Sequence, residues 1–171
     1  DSDDAYEDRV LNTKLWKTVE EGSLRRGREY VLRRPIKLDQ IPEAMAQYKD
    51  VIDLGGVSES IRCSTHVHVN VSRWTHLEFY RALAYWYLIE DLVVRTQGPV
   101  REGNLFCLRM SDAELLQKII LDSVKSNLGV AGFSQSVVKY SALNIGSVNR
   151  LGSLEFRFLR LQPPEIILAW S

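Results

Sequence analysis

Two histidines one residue apart, His66 and His68, lie in a run where apolar and polar residues alternate, and Asn70 continues the polar set. On a strand, residues two apart share a face and lie roughly 6.5–7 Å apart. Two imidazoles so placed can converge on one metal ion or one anionic ligand, because neutral imidazole is a metal ligand and imidazolium pairs with phosphate or carboxylate. Nearer the end of the chain, Glu155 and Arg157 show the same spacing. A carboxylate there can hold magnesium, and a guanidinium can clamp a phosphate or carboxylate with its planar fork. Arg101, with Glu102, Gly103 and Asn104, sits in a stretch that reads as a loop and could reach the same face. His76 falls in a helical first turn and reads as structural. The inventory suits binding of a nucleotide with magnesium and of an acidic substrate. There is no Walker loop, no dinucleotide fingerprint and no activated Ser or Cys nucleophile.

The elements that must position these residues are legible from periodicity. Residues 61–71 alternate over eleven positions, with Ile61, Cys63, Thr65, Val67, Val69 and Val71 facing one way, which predicts a strand. Thr75 with Glu78 forms a capping-box pattern that opens a helix to about Val94. That helix is apolar around much of its girth, so it is expected to lie buried against a sheet. Ser111 with Glu114 repeats the pattern and predicts a second helix to about Asn127, stopped by Gly129. Upstream, Leu15–Val19 and Tyr30–Leu32 read as strands, the second ended by Pro35, and residues 40–54 as a helix ended by Gly55-Gly56. Residues 138–147 and 153–161 complete the strands. The predicted order β-β-α-β-α-α-β-β lacks strict βαβ alternation. It therefore points to an α+β fold, an antiparallel-rich sheet packed on helices, with the polar face of the sheet turned away from them.

The 171 residues fit a single domain, 1–171, with 45% apolar and 26% charged residues. Lys plus Arg and Asp plus Glu both number 22, so no net field favours nucleic acid or an anionic membrane as partner. Cys63 and Cys107 read as reduced interior thiols, which fits a cytoplasmic location, and no apolar stretch reaches the ~18 residues of a membrane span. A chain opening at Asp1 without methionine is expected to be a fragment of a longer one.

The segment Cys63-Ser64-Thr65-His66-Val67-His68-Val69-Asn70, followed by a long helix, resembles the His-Val-His-Val strand of the amidoligase enzymes. These are often phage-encoded members of the glutamine synthetase and glutamate–cysteine ligase superfamily. Trp16 to Leu24 is similar to the family's Trp…Asp-Gly-Ser-Leu segment, with Glu21 where aspartate is usual, and Glu29 through Pro35 to its Glu…Pro strand. Arg101, Asn104, Phe106 and Cys107 resemble its Arg…Asn…Cys segment. Tyr140 through Asn144, then Leu154-Glu155-Phe156-Arg157-Phe158, resembles its closing Tyr…Ala-Leu-Asn…Ile-Glu-Phe-Arg motif.

The resemblance implies a glutamine synthetase-like catalytic domain and an ATP-dependent carboxylate–amine ligase, which phosphorylates a carboxylate and lets an amine displace the phosphate. It implies that His66, His68 and Asn70 bind Mg-ATP or substrate, that Glu29 and Glu155 are metal ligands, and that Arg101 and Arg157 stabilise the transferring phosphoryl group. The partners would be a small-molecule or peptide carboxylate and an amine acceptor, in a host cytoplasm if phage-encoded. The family's first strand, with its Glu-x-Glu metal pair, has no counterpart here and is expected before Asp1 or lost. The alternative is a non-catalytic structural or assembly protein, for example of a virion, that keeps the fold and binds other subunits.

Overall fold

A computed structural model describes residues 11–21, 27–53, 62–126 and 139–170. The chain is α+β. Its described residues form five helices, a two-stranded and a three-stranded antiparallel sheet. Chain contacts divide it into two compact units, Asp1–Arg62 with Gln162–Ser171, and Cys63–Leu161. No described helix is long and apolar enough to cross a membrane.

In the first unit, β1 (Trp16–Glu21) and β2 (Gly27–Leu32) form an antiparallel ribbon running from Trp16 opposite Leu32 to Glu21 opposite Gly27. The second strand stops before the Arg33-Arg34-Pro35 stretch, sooner than the proline alone requires. Helix α1 (Ile41–Asp53) has Pro42 in its first turn, as predicted, and buries Ala44, Met45, Tyr48 and Val51. Trp16 stacks on Tyr48 with ring centroids 5.9 Å apart and donates its indole N–H to the Ala44 carbonyl at 2.9 Å. Ile167 of α5 (Pro164–Trp170) joins this core. Helix α5 has no counterpart among the predicted elements. At seven residues it is too short to stand on propensity, and the burial of Ile167 supports it.

The second unit holds β3 (Val67–Asn70), β4 (Leu143–Asn144) and β5 (Ser153–Phe156), with β5 central in the order β3-β5-β4. The register sets Val67 opposite Phe156, His68 opposite Glu155 and Asn70 opposite Ser153, while β4 places Asn144 opposite Glu155. The strands are shorter than their alternation predicts. Past Phe156 the next β3-side pairing is Ser64 with Arg160. Arg157, Phe158 and Leu159 therefore stand opposite only Thr65 and His66, a bulge-like mismatch that interrupts the ladder. Thr65 still donates to the Leu159 carbonyl and Arg157 to the Ala142 carbonyl, so the extended chain is held without regular pairing.

Helix α2 (His76–Arg95) begins with the predicted capping box: the Glu78 amide donates to Thr75 Oγ1, and the Thr75 amide to Glu78 Oε2 at 2.7 Å. It buries only one face, Phe79, Leu83, Trp86, Glu90 and Val94, and leaves Tyr85, Leu88 and Leu92 exposed. The helix is thus buried on the one face that packs toward the sheet residue Phe156. Trp86 packs on Phe156 and Phe158 at 5.1 and 5.4 Å. Helix α3 (Glu114–Lys125) starts after Ala113, not at a Ser111 cap. Ser111 instead lies in a tight turn, Met110–Asp112, which is fixed by the Met110 amide donating to buried Glu90 and by the Arg109–Asp112 ion pair. A short α4 (Ser147–Leu151), also absent from the predicted order, joins β4 to β5. It closes at Gly152, whose φ of +66° favours glycine, and a Cβ there would come within a tight 3.1 Å of Ser72 Cβ. The predicted stops at Gly55-Gly56 and Gly129 lie outside the described residues.

Candidate functional site

The three-stranded sheet sends Leu143, Leu154 and Phe156 into the core of the second unit. Its other face gathers polar groups around one carboxylate. Glu155 is on the central strand, so it receives neighbours from both sides. Asn144 on β4 donates from Nδ2 to Oε2 at 2.6 Å, its own Oδ1 being oriented by the Gly146 amide at 2.9 Å. Arg157, two residues along, donates from NH1 to Oε1 at 2.6 Å. His66 Nδ1 stands 3.3 Å and His68 Nε2 3.9 Å from that same Oε1. Behind the rings, Ser64 Oγ lies 2.6 Å from His66 Nε2, and Ser153 Oγ lies 3.0 Å from His68 Nδ1.

Burial decides the charge states. It pushes His66 down to about 4, with the Arg157 guanidinium adding to the effect and Glu155 opposing it. Burial also lowers His68, against the pull of Glu155. Both rings are therefore neutral at pH 7. Burial opposes ionisation of Glu155 too, but Arg157, then the two histidines and the Asn144 hydrogen bond, outweigh it and hold this carboxyl below its usual range. The result is one ion pair, Glu155–Arg157, embedded among neutral polar groups, with Arg157 NH1 also 3.5 Å from His66 Nδ1, which accepts from it. Arg157 Nε is buried without a hydrogen-bond partner, so the guanidinium depends heavily on Glu155. Exposure runs outward from Glu155 at 7% and Arg157 at 11% to His66 at 24% and His68 at 39%.

Of the residues singled out in the sequence, His66, His68, Glu155 and Arg157 come together. Asn70 does not: it is exposed, and its Oδ1 accepts from the Ser72 amide in a turn that ends β3. Arg101 is 1% exposed and donates from NH2 to the carbonyls of Cys63 and Leu159 at 2.6 and 2.9 Å. There it ties the start of the unit to the segment after β5. Asn104 bonds within its own loop, to Val100 and Phe106. Glu29 belongs to the first unit, opposite Val19 on the ribbon. His76 is exposed on the first turn of α2. Of the cysteines, Cys107 is buried and Cys63 partly so, and both are thiols.

Sequence reasoning overlooked Asn144, Ser64 and Ser153 as members of the site. Asn144 carried a signal, its place before the Glu155 motif. Ser153 carried none, because only the β3–β5 register brings it beside His68.

Among the described residues no three His, Cys, Asp or Glu side chains are grouped to hold a metal ion, and both oxygens of Glu155 are already engaged. What the arrangement offers is hydrogen-bond donors and a half-exposed imidazole at the rim. Comparison of the chain with protein-family models, with curated proteins and with solved structures returned no match.

Proposed function

We propose that the Cys63–Leu161 unit carries the ligand face of a carboxylate–amine ligase of the glutamine synthetase-like kind, forming an amide through an acyl phosphate. One observation supports this above others. Two of the segments that resemble amidoligase motifs, residues 63–70 and the closing motif 140–158, well separated in the chain, supply three adjacent strands, and the register sets His68, Glu155 and Asn144 abreast with Arg157 and His66 beside them. Phosphoryl transfer depends on positioning and charge neutralisation. On this reading Arg157 meets the anionic group, the half-exposed His68 ring lies beside it, and Glu155 with Asn144 holds the guanidinium ready. Arg101 acts as scaffold. The use of ATP with Mg rests on the resemblance alone, and no residue described here is assigned to the ion.

The test is calorimetry of Mg-ATP binding to the full protein, with phosphate release measured in the presence of candidate acids and amines. Binding that falls in H68A and R157M supports the ligase. Absence of binding in the intact protein overturns it.

The satisfied carboxylate favours a second reading. With Oε1 on Arg157 and Oε2 on Asn144, the cluster also serves as a closed structural network, as in an assembly protein that has kept the fold without the chemistry. That reading predicts that E155Q lowers stability while Mg-ATP has no effect on the wild type.

A further inference from the structure

Helix α2 has two apolar faces. One carries Phe79, Leu83, Trp86 and Val94 into the core of its own unit. The helix advances about 100° per residue, so Glu78, Arg81, Tyr85, Leu88, Leu92 and Arg95 form a row directly opposite that face, and all six are exposed. Tyr85, Leu88 and Leu92 at its middle are 67%, 76% and 69% exposed, and Leu77 and Ile89, also exposed, widen the apolar strip. A helix anchored by its other face does not need these side chains for its own packing. A continuous apolar strip of this kind on a surface marks an interaction site.

We propose that a second copy of the chain covers this face, the two α2 helices packing antiparallel about a two-fold axis between Trp86 and Tyr87. The row is spaced by three, four, three, four and three residues, the seam of a shallow helix pair. That spacing reads the same in both directions, so a two-fold axis at its centre lays the row onto itself. Tyr85 then meets Leu88 of the second copy, and Leu92 meets the stem of Arg81, whose guanidinium reaches toward Asp91. At the ends Glu78 meets Arg95. The Thr75 cap uses only Oε2 of Glu78, which leaves Oε1 for that pair. Both ends lie about 13 Å from the axis, within reach of each other only at a crossing of about 20°. Every charged pair occurs twice. Parallel packing would instead set Glu78 on Glu78, Arg81 on Arg81 and Arg95 on Arg95. A helix lying on lipid flanks its apolar face with Lys and Arg, whereas this row carries both signs, matched to itself. The pairing is independent of the ligase reading, because Glu155 lies on the sheet face turned away from the core that α2 packs on.

The experiment is sedimentation velocity of the full chain at pH 7, from about 1 to about 200 µM, the range suited to a small helix-pair interface. The wild type is expected to pass from monomer to dimer within it. L88E buries two carboxylates among apolar side chains at the centre and should weaken association at least about a hundredfold. R95E sets a second carboxylate against Glu78 at both ends and should weaken it about tenfold in dilute buffer, less at high salt, where surface charges are screened. K118E, the same charge change at an exposed residue of α3, should move it far less. Far-ultraviolet dichroism checks that each variant keeps its helices, and if L88E loses them R95E carries the test. A wild type that stays monomeric throughout overturns the proposal, as does a dimer that survives L88E. An R95E dimer as tight as the wild type overturns the antiparallel register. A monomer that sediments with phosphatidylcholine–phosphatidylserine vesicles gives the face to a membrane and overturns the second copy.

Discussion

Glu90 and Glu155 are both buried carboxylates, yet they differ in charge because of what faces them. Glu155 has Arg157 at 2.6 Å and stays ionised. Glu90 receives N–H donors from Trp86 at 2.8 Å and the Met110 amide at 2.6 Å, but the nearby Arg109 spends its guanidinium on Asp91 and Asp112. Burial pushes Glu90 up to about 7; the two donors and Arg109 act against it, and Asp112 with it. The folded value lies above the unfolded 4.5, so the folded state binds more protons between them. The resulting stabilisation is full below about pH 4.5 and is lost as pH rises through about 7. Urea unfolding at pH 5 and pH 8 should show the wild type losing stability with rising pH across that window. E90Q should flatten that dependence and lower stability by roughly 1–3 kcal/mol at pH 5, because its amide nitrogen opposes one of the two donors. Arg101 yields a second expectation. R101M strips the donor from two carbonyls and should destabilise by roughly 2–4 kcal/mol, with anion binding per folded molecule unchanged. The site's four central side chains were legible because strand alternation marks which residues share a face. Arg101 was misread because a polar residue beside Gly103 looks like loop surface, and nothing local reveals that two distant carbonyls await it.

At the scale of elements, local signals succeeded where the chain satisfies its own amides and failed where a neighbour does so. The Thr75–Glu78 box closes within four residues and was readable. The same spacing at Ser111–Glu114 was not a cap, because Glu90 on another helix captured the Met110 amide and drew the chain into a tight turn. The two sites should separate in thermal and urea unfolding. T75A should cost about 1 kcal/mol, the usual worth of an N-cap. S111A, at an exposed residue with no capping role, should stay within about 0.5 kcal/mol of wild type. The strands tell the same story. Alternation marked His66 and His68 as sharing a face, but the extra residue opposite Thr65 and His66 lies in the segment after β5 and limits regular pairing to Val67–Asn70. Short α4 and α5 have too few residues for a periodic signal; Gly152 and Ile167, through a tight approach and a buried contact, do the work that length would otherwise do.

At the scale of the molecule, each unit has its own apolar cluster, and the chain is divided unequally between them. The Cys63–Leu161 unit is continuous in sequence and contains the sheet β3-β5-β4, helices α2 to α4 and every member of the candidate site. The other unit is built from two separated stretches: Trp16, Ala44, Met45 and Tyr48 from the first share a core with Ile167 from the last. Continuity has a consequence for folding, because a continuous unit needs no closure of a long intervening loop. Residues 63–161 expressed alone should therefore unfold in one cooperative transition in urea and keep the His66 and His68 imidazole signals of the full chain. Truncation after Leu161 removes α5 and with it Ile167, whose burial is worth about 2–4 kcal/mol by analogy with large-to-small core substitutions. That loss should fall on the first unit. Trp16, stacked on Tyr48 in that core, is its reporter, and Trp86, packed on Phe156 and Phe158, is the reporter of the other. Variants keeping one or the other of these tryptophans, with the remaining tryptophans replaced by phenylalanine, should show the Trp16 transition moving to lower urea on truncation while the Trp86 transition holds. Movement of both together would mean that the chain folds as one cooperative body.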